Sequence, residues 1–378
     1  MSVAARIQAA LNAAVAGGLP GLTAAARLPG GEIVEAAAGV RGLDNPAPMT
    51  PDTVFWIASF TKAITTAAVL QLVERGAVGL DDAVGPHLPG LAHPKVLTGF
   101  DGDGRPRLAE AREAITVRRL LAHTSGLAYE FCNAALARHG AATTPAAMGA
   151  VEGVPLVFEP GSGWTYGVGL DWAGELVTAL TGETLDVYLA KRIFAPLGMS
   201  ETGFLPTSAQ AERRASMHAR GEGGALAPMP FALPPPPNRA MGGGGLYSTA
   251  RDYLTFLEAV LGGGAPILAP ASVALMKRTE WKGEEVGVLP GVNPQLCAGF
   301  DPFPGKVKRW GLGFLINPEP GPNGRSAGSL AWAGLGNCYY WADPANGVAG
   351  VLLAQLLPFG DAEVMEAFGA FERAVYSA

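Results

Sequence analysis

Apolar and polar positions follow two rhythms along this chain, and the rhythm changes from strand to helix and back again. Near the start, Arg6, Gln8 and Asn12 interrupt an apolar stretch at helical spacing. That predicts an amphipathic surface helix with Leu11 and Val15 turned inward and Gly17–Gly18 ending it. Leu22–Leu28 and Ile33–Gly39 are short apolar runs separated by Pro29-Gly30-Gly31, a hairpin signal. Phe55–Ala58 then leads into Ser59, followed by a helical run over Phe60–Glu74 closed by Gly76. Its apolar positions Ile64, Ala68, Leu72 and Val73 surround much of the helix, which predicts burial on more than one side.

The middle of the chain reads as helices in loop-rich surroundings. Ile115–Ala122, Leu170–Leu180, Leu185–Ile193 and Tyr253–Leu261 carry the helical period, and Pro228–Pro237 is expected to run as an exposed polyproline II loop. Strand-like runs return at Trp310–Ile316, Ser329–Ala333, Cys338–Ala342 and Val348–Leu353, before a closing helix over Ala362–Tyr376. The economical architecture is an α/β (α+β) fold. One antiparallel sheet is built from both chain ends and flanked by terminal helices, with an inserted, mainly helical lobe. We expect a single catalytic domain over 1–378, with an α/β lobe near 1–85 and 295–378 and a helical lobe near 86–294.

Composition narrows the function. The net charge is −6 and basic residues form no run, which argues against nucleic acid. No apolar stretch approaches the roughly 18 residues of a membrane span, and the first helix lacks the cationic start and unbroken core of a signal peptide. A cytoplasmic protein is expected. Cys132, Cys297 and Cys338 lie far apart and match no metal-binding spacing, so free, buried thiols are expected and neither metal nor cofactor.

The candidate chemistry starts at Ser59-Phe60-Thr61-Lys62, the only S-x-x-K of the chain. Alone, the tetrapeptide could be a helix cap with a surface lysine. Its context is more telling, because a strand-like segment meets a buried helix there and Lys62 projects one turn beyond Ser59 on the same face. Phe55, Trp56, Phe60 and Ile64 around Lys62 would desolvate its ammonium and lower its pKa. Such a lysine can help take the proton of a serine that attacks a carbonyl.

Phe55–Lys62 with the helix ending Glu74-Arg75-Gly76 resembles the nucleophile region of class C β-lactamases, family VIII carboxylesterases and related acyltransferases of the penicillin-recognising superfamily. Leu120–Leu127 resembles the L-L-x-H-T-S-G-L segment of that superfamily. Phe158–Tyr166 resembles its F-x-P-G-x-x-x-x-Y segment, and Met241–Thr249 its glycine-rich turn before a helix. The resemblance implies Ser59 as nucleophile with Lys62 and Tyr166 sharing the base role, and an oxyanion hole from the Ser59 and Leu335 N–H groups. It also makes His123 scaffold. Two departures matter. Tyr166-Gly167-Val168 lacks the asparagine of Y-x-N, and Trp332-Ala333-Gly334 stands where K-T-G or H-T-G is usual. Tyr129, Val168, Trp332 and Gly334 are the expected substrate-binding positions.

The implied activity is hydrolysis or transacylation of short-chain carboxylic esters, with a small-molecule ester as partner. The alternatives are β-lactam hydrolysis, D-amino-acid amide or peptide cleavage, or a specific acyltransferase on the same site; a non-catalytic binding protein is the remaining rival. Gly324-Arg325-Ser326-Ala327-Gly328 matches the G-x-S-x-G elbow, but strand-like residues follow it and no histidine comes later, so a glycine-rich hairpin is expected there.

Overall fold

The computed structural model describes residues 1–140, 153–233, 240–283 and 286–377. Helix α1 (Val3–Ala16) is capped by the Ser2 hydroxyl, which accepts from the Ala5 N–H at 3.2 Å. Its buried side chains are Ile7 and Leu11, and Val15, one turn beyond Leu11 on the same face, is partly buried against the core. Strands β1 (Gly21–Arg27) and β2 (Ile33–Gly39) form the expected hairpin. Helix α2 (Thr61–Glu74) is buried continuously from Thr61 to Leu72. Further on come α3 (Gly169–Thr181) and α4 (Ala250–Leu261).

The C-terminal third supplies β3 (Arg309–Trp310), β4 (Leu315–Asn317), β5 (Ser329–Gly334), β6 (Cys338–Asp343), β7 (Val348–Leu353) and α5 (Ala362–Tyr376). The expected single strand over Trp310–Ile316 is therefore two, joined by a turn. A Cβ on Gly311 would sit 2.2 Å from the Met276 carbonyl, and Gly313 has φ of +80°, so the chain must bend there.

These strands form one antiparallel seven-stranded sheet in the order β2-β1-β7-β6-β5-β4-β3. Thr23 faces Leu353 across the junction of the two chain ends, and Trp332 faces Tyr340 within the C-terminal part. Successive side chains of a strand point to opposite faces, and β6 shows what covers each. Tyr339 and Trp341 pack on Phe368 of α5, while Tyr340 packs on Tyr253 of α4 and on Phe60. Helices α1 and α5 thus lie on one face and α4 on the other.

Helix α4 falls inside the segment expected to form a separate helical lobe, yet it packs on β1, β6 and β7 and belongs to the sheet layers. That segment is also less helical than its pattern suggested. It contains the hairpin Lys95–Phe100 with Pro106–Glu110, and the pair His218–Arg220 with Leu226–Pro228. Pro228 ends a paired strand, and the prolines at 234–237 lie outside the described residues. No helix among the described residues is long and apolar enough to cross a membrane.

Candidate active site

Three pieces of backbone converge at the start of α2. The short strand Phe55–Trp56 pairs with Tyr247–Ser248, and Ala58 then takes φ of +45°, a left-handed conformation a non-glycine residue adopts only under tertiary constraint. This bend launches a single 3₁₀ turn, Ala58–Phe60, that carries Ser59 and runs straight into α2. Thr61 braces the bend: its hydroxyl donates to the Ala58 carbonyl at 2.6 Å and accepts from the Leu246 N–H at 3.2 Å.

One helical turn on, the Lys62 ammonium nitrogen lies 3.0 Å from Ser59 Oγ, 3.1 Å from Tyr129 Oη and 2.5 Å from the Gly243 carbonyl oxygen. Lys62 is buried, and burial pulls its pKa down from 10.5 to about 8 against the opposing charge of Asp171. Asp171, in the first turn of α3, faces this lysine network. Its Oδ1 accepts from the Gly243 N–H at 2.9 Å, and its Oδ2 accepts from Tyr129 Oη at 3.5 Å. Lys62, Tyr129, Asp171 and Gly243 thereby close a ring of hydrogen bonds. Burial raises the Asp171 carboxyl, with Lys62 and the Gly243 N–H opposing, and burial also raises the Tyr129 phenol well above its ordinary value.

The glycine run makes the ring possible. A Cβ on Gly243 would stand 2.2 Å from Asp171 Oδ2, and one on Gly242 would stand 2.5 Å from the Leu170 carbonyl. Sequence reasoning passed over Asp171 because it has no partner carboxylate at a useful spacing. The available signal was an acid in the first turn of the apolar helix Gly169–Thr181, five residues after Tyr166.

On the other side of Ser59 stands Tyr166. Its hydroxyl lies beside the Ser59 side chain and accepts from the Trp332 indole N–H at 2.9 Å. Burial raises the Tyr166 phenol, and the neighbouring Ser59 and Trp332 side chains oppose the rise. The Lys62 nitrogen lies 4.8 Å from the centre of the Tyr166 ring. The residues expected to act together, Ser59, Lys62 and Tyr166, are thus in one place, joined by Tyr129.

Trp332 does more than line the pocket, since its only polar atom is committed to Tyr166. Gly334 lies against the bend before Ser59: a Cβ there would meet the Ile57 carbonyl at 2.5 Å. That close approach brings Leu335 into the wall beside Ser59. Together with Tyr129, Phe131, Tyr166 and Phe359 these residues enclose a narrow cavity of about 20 Å³ over the serine. Val168 does not reach this wall; it is fully buried at the N-cap of α3, so its expected substrate contact is corrected to a packing position.

His123 also stays out of the chemistry. Its ring packs against Tyr166, Trp164 and Trp310, and burial together with the Lys62 charge holds its pKa well below 6.5. Its carbonyl accepts from the Thr165 N–H at 3.0 Å and so braces the segment that presents Tyr166. Ser326 sits on a turn with its hydroxyl accepting from Asn346 at 2.8 Å, and the next element is the strand β5, not a helix. Among the described residues no cluster of His, Cys, Asp and Glu could hold a metal, and all three cysteines are buried and free.

A family model described as Beta-lactamase matches residues 4–373. The chain belongs to the beta-lactamase family. Acyltransferase calJ of Penicillium decumbens is 33% identical over 91% of this chain and 86% of its own length. Lovastatin esterase of Penicillium rubens is equally similar, at 33% identity over 84% of this chain and 83% of its own. Unliganded simvastatin synthase from Aspergillus terreus superposes with a TM-score of 0.87 at 31% identity, covering 100% of this chain and 98% of that one. This beta-lactamase family member is an enzyme of the serine-hydrolase type, with relatives that transfer acyl groups and a relative that hydrolyses an ester.

The ring around Lys62 makes a testable statement about pH. Activity that requires a neutral Lys62 rises as pH climbs through its pKa of about 8. Asp171 raises that pKa, so Asp171→Asn, which keeps an oxygen acceptor for the Gly243 N–H, should lower it. The rising limb of the kcat/KM profile should therefore move to lower pH in Asp171→Asn. A limb that stays in place would show that Asp171 does not set the protonation of Lys62.

Proposed function

We propose that this enzyme transfers the acyl group of short-chain carboxylic esters through a covalent intermediate on Ser59, to water or to a second alcohol. The observation that carries the reading is the chain of hydrogen bonds from Ser59 through Lys62 and Tyr129 to Asp171, with the Tyr166 hydroxyl, held by the Trp332 indole, beside Ser59 on the other side. With Lys62 neutral, every member has one direction to donate. Trp332 donates to Tyr166, Ser59 to Lys62, Lys62 to Tyr129 and Tyr129 to Asp171, and the Tyr166 hydroxyl hydrogen is left for the departing group. Ser59 then attacks the ester carbonyl while its proton passes to Lys62. The tetrahedral oxyanion is held by the Ser59 and Leu335 N–H groups. Tyr166 gives its proton to the departing alcohol oxygen and recovers one from the Ser59–Lys62 side. Deacylation runs the same steps backward, with water or an alcohol as the nucleophile.

The narrow apolar cavity over Ser59 supports a small acyl group. The likeness to an esterase and to acyltransferases supports both fates of the acyl-enzyme and does not choose between them. The experiment is labelling with a fluorophosphonate, followed by peptide mass spectrometry. An adduct on the Ser59 peptide with parallel loss of esterase activity is expected. Inactivation with the label on Ser326, or on no serine, would remove the assignment.

The same geometry predicts weak β-lactamase activity. Val168 offers no amide, and the Trp332 N–H is occupied by Tyr166, so neither provides a charge-assisted contact to a β-lactam carboxylate. Each missing contact of that kind costs about 1.5–3 kcal/mol, or roughly 10- to 150-fold in rate. A short-chain aryl ester should therefore exceed nitrocefin in kcat/KM by at least about 10-fold. Equal or faster nitrocefin turnover would restore the lactamase reading.

A further inference from the structure

Strand β5 is a partition between two spaces, and Trp332 belongs to the walls of both. One is the slot over Ser59; the other is a cavity of about 80 Å³ toward α5. Side chains alternate along β5, and Ala331, paired with Trp341, turns to the α5 side. Ala331, Phe303, Met365 and Phe368 supply apolar lining to this cavity, and Arg325 and Glu372 supply its charges. These two side chains are 2% and 3% exposed. Arg325 Nε donates to Glu372 Oε1 at 2.6 Å, and Asn323 donates to Glu372 Oε2 at 3.1 Å. The guanidinium lies over the Phe303, Trp341 and Phe368 rings at 5.2, 5.4 and 5.8 Å, which holds its plane in place. Its two Nη groups have no hydrogen-bond partner among the described residues, yet they are not sealed from open space. Arg325 lines the cavity, so these donors face it. Asn323, Met365 and Gly369 are partly exposed and Pro322 is exposed, so the cavity opens to solvent along that rim.

We infer that this cavity binds a small, neutral primary carboxamide, or a molecule ending in one, at a site separate from Ser59. The argument is one of complementarity. The Arg325–Glu372 pair presents N–H donors beside a carboxylate acceptor. Its counterpart is a group that carries an acceptor and a donor side by side in one plane. A primary amide does so: its carbonyl oxygen accepts from an Arg325 Nη group while its N–H donates to Glu372. Each Glu372 oxygen already accepts one bond and keeps room for another. Size limits the ligand. An apolar cavity of roughly 150 Å³ admits benzene, so this one holds about four or five heavy atoms, with any longer tail directed to the rim.

Charge decides between the amide and its ionised relatives. Arg325 and Glu372 cancel one another, and no other charged side chain lines the cavity. A carboxylate would leave the cavity with a net negative charge and would lose its hydration without full replacement. Arg373, which donates to Asn323 Oδ1 at the rim, is exposed, so solvent screens its charge. A ketone of the same shape keeps the acceptor and loses the donor, which leaves the Glu372 side of the pair without a partner.

The test titrates the full chain carrying Ser59→Ala, so that no amide is turned over, with propionamide, propionate and 2-butanone. Binding is read by saturation-transfer NMR and by the shift of the Trp341 indole N–H resonance. No readout depends on turnover, so the result is independent of the proposed function. Propionamide should bind with a Kd on the order of millimolar. It should bind at least about tenfold tighter than propionate or 2-butanone, the scale of one hydrogen bond to a charged group. Ala331→Leu and Met365→Trp, which fill the cavity from the sheet and from α5, should each weaken propionamide binding by about tenfold or more. Arg325→Leu combined with Glu372→Leu removes both charges without leaving one buried alone, and should abolish the preference for propionamide over 2-butanone. No propionamide binding, or binding unchanged in whichever cavity-filling variant folds, would overturn the site. Propionate binding as tightly as propionamide would overturn the claim that the ligand is neutral. Equal affinity for propionamide and 2-butanone without the Leu changes would overturn the pairing with Glu372.

Discussion

Replacing Ser59 with alanine should reduce ester turnover by a factor on the order of 10³ to 10⁶, as removal of a nucleophile does in serine enzymes. Ser59 Oγ lies 3.0 Å from Lys62 and beside the Tyr166 hydroxyl, so it stands between the two halves of the proton path. Lys62→Met should cost nearly as much, and the double variant should be little worse than either single one. Groups that act as one unit lose their function together. The fold should survive the serine change, because Ala58 and Thr61 hold the bend through backbone geometry and the Thr61 hydroxyl rather than through Ser59. Rates of purified, folded variants on a short-chain aryl ester provide the check. A Ser59→Ala protein within tenfold of the parent would remove Ser59 from the chemistry, and strictly additive losses would separate Lys62 from it.

Much of this arrangement was legible before any coordinates, and the reasons are physical. The β1–β2 hairpin, the closing helix and the buried helix after Ser59 follow from periodicity with glycine and proline as punctuation, because their burial repeats along one element. The Ser59–Lys62 contact follows from spacing alone, since three residues on a helix share a face. Tyr166 was legible only through resemblance, because nothing local in Gly163–Val168 says that a phenol 107 positions away will meet Ser59. The strand pair at Trp310 and Leu315 was hidden, since its turn is imposed by the Met276 carbonyl, a long-range contact. Helix α4 read correctly as a helix, yet its pattern could not say that it covers the sheet. Asp171 and Gly243 were missed for the same reason. A carboxylate and a peptide group become a lysine cradle only when the chain folds α3 against the glycine turn. Val168 failed in the opposite direction: its place in a motif suggested a wall position, but the N-cap of α3 turns it inward.

Tyr166→Phe should lower kcat on alkyl esters by about 10²- to 10⁴-fold, the range lost with a general acid–base group. Phenylalanine keeps the ring that packs on His123, Trp332 and Tyr129, so the walls of the site should remain. What goes is the oxygen that accepts from the Trp332 N–H beside Ser59. The Trp332 indole N–H is then buried with no acceptor, a penalty of about 1–3 kcal/mol, so the variant should also unfold at lower temperature. Leaving-group dependence separates the proton-transfer role from a structural one. An alkoxide departs badly without a proton, whereas p-nitrophenolate departs without help. The loss should therefore be large on ethyl butyrate and smaller on p-nitrophenyl butyrate. In the Tyr166→Phe background, Trp332→Phe should add little further loss in rate, because the hydrogen bond it removes is already gone. Equal losses on the two esters would assign Tyr166 to positioning alone. Ethyl butyrate hydrolysis within tenfold of the parent would leave Lys62 as the sole proton carrier of the site.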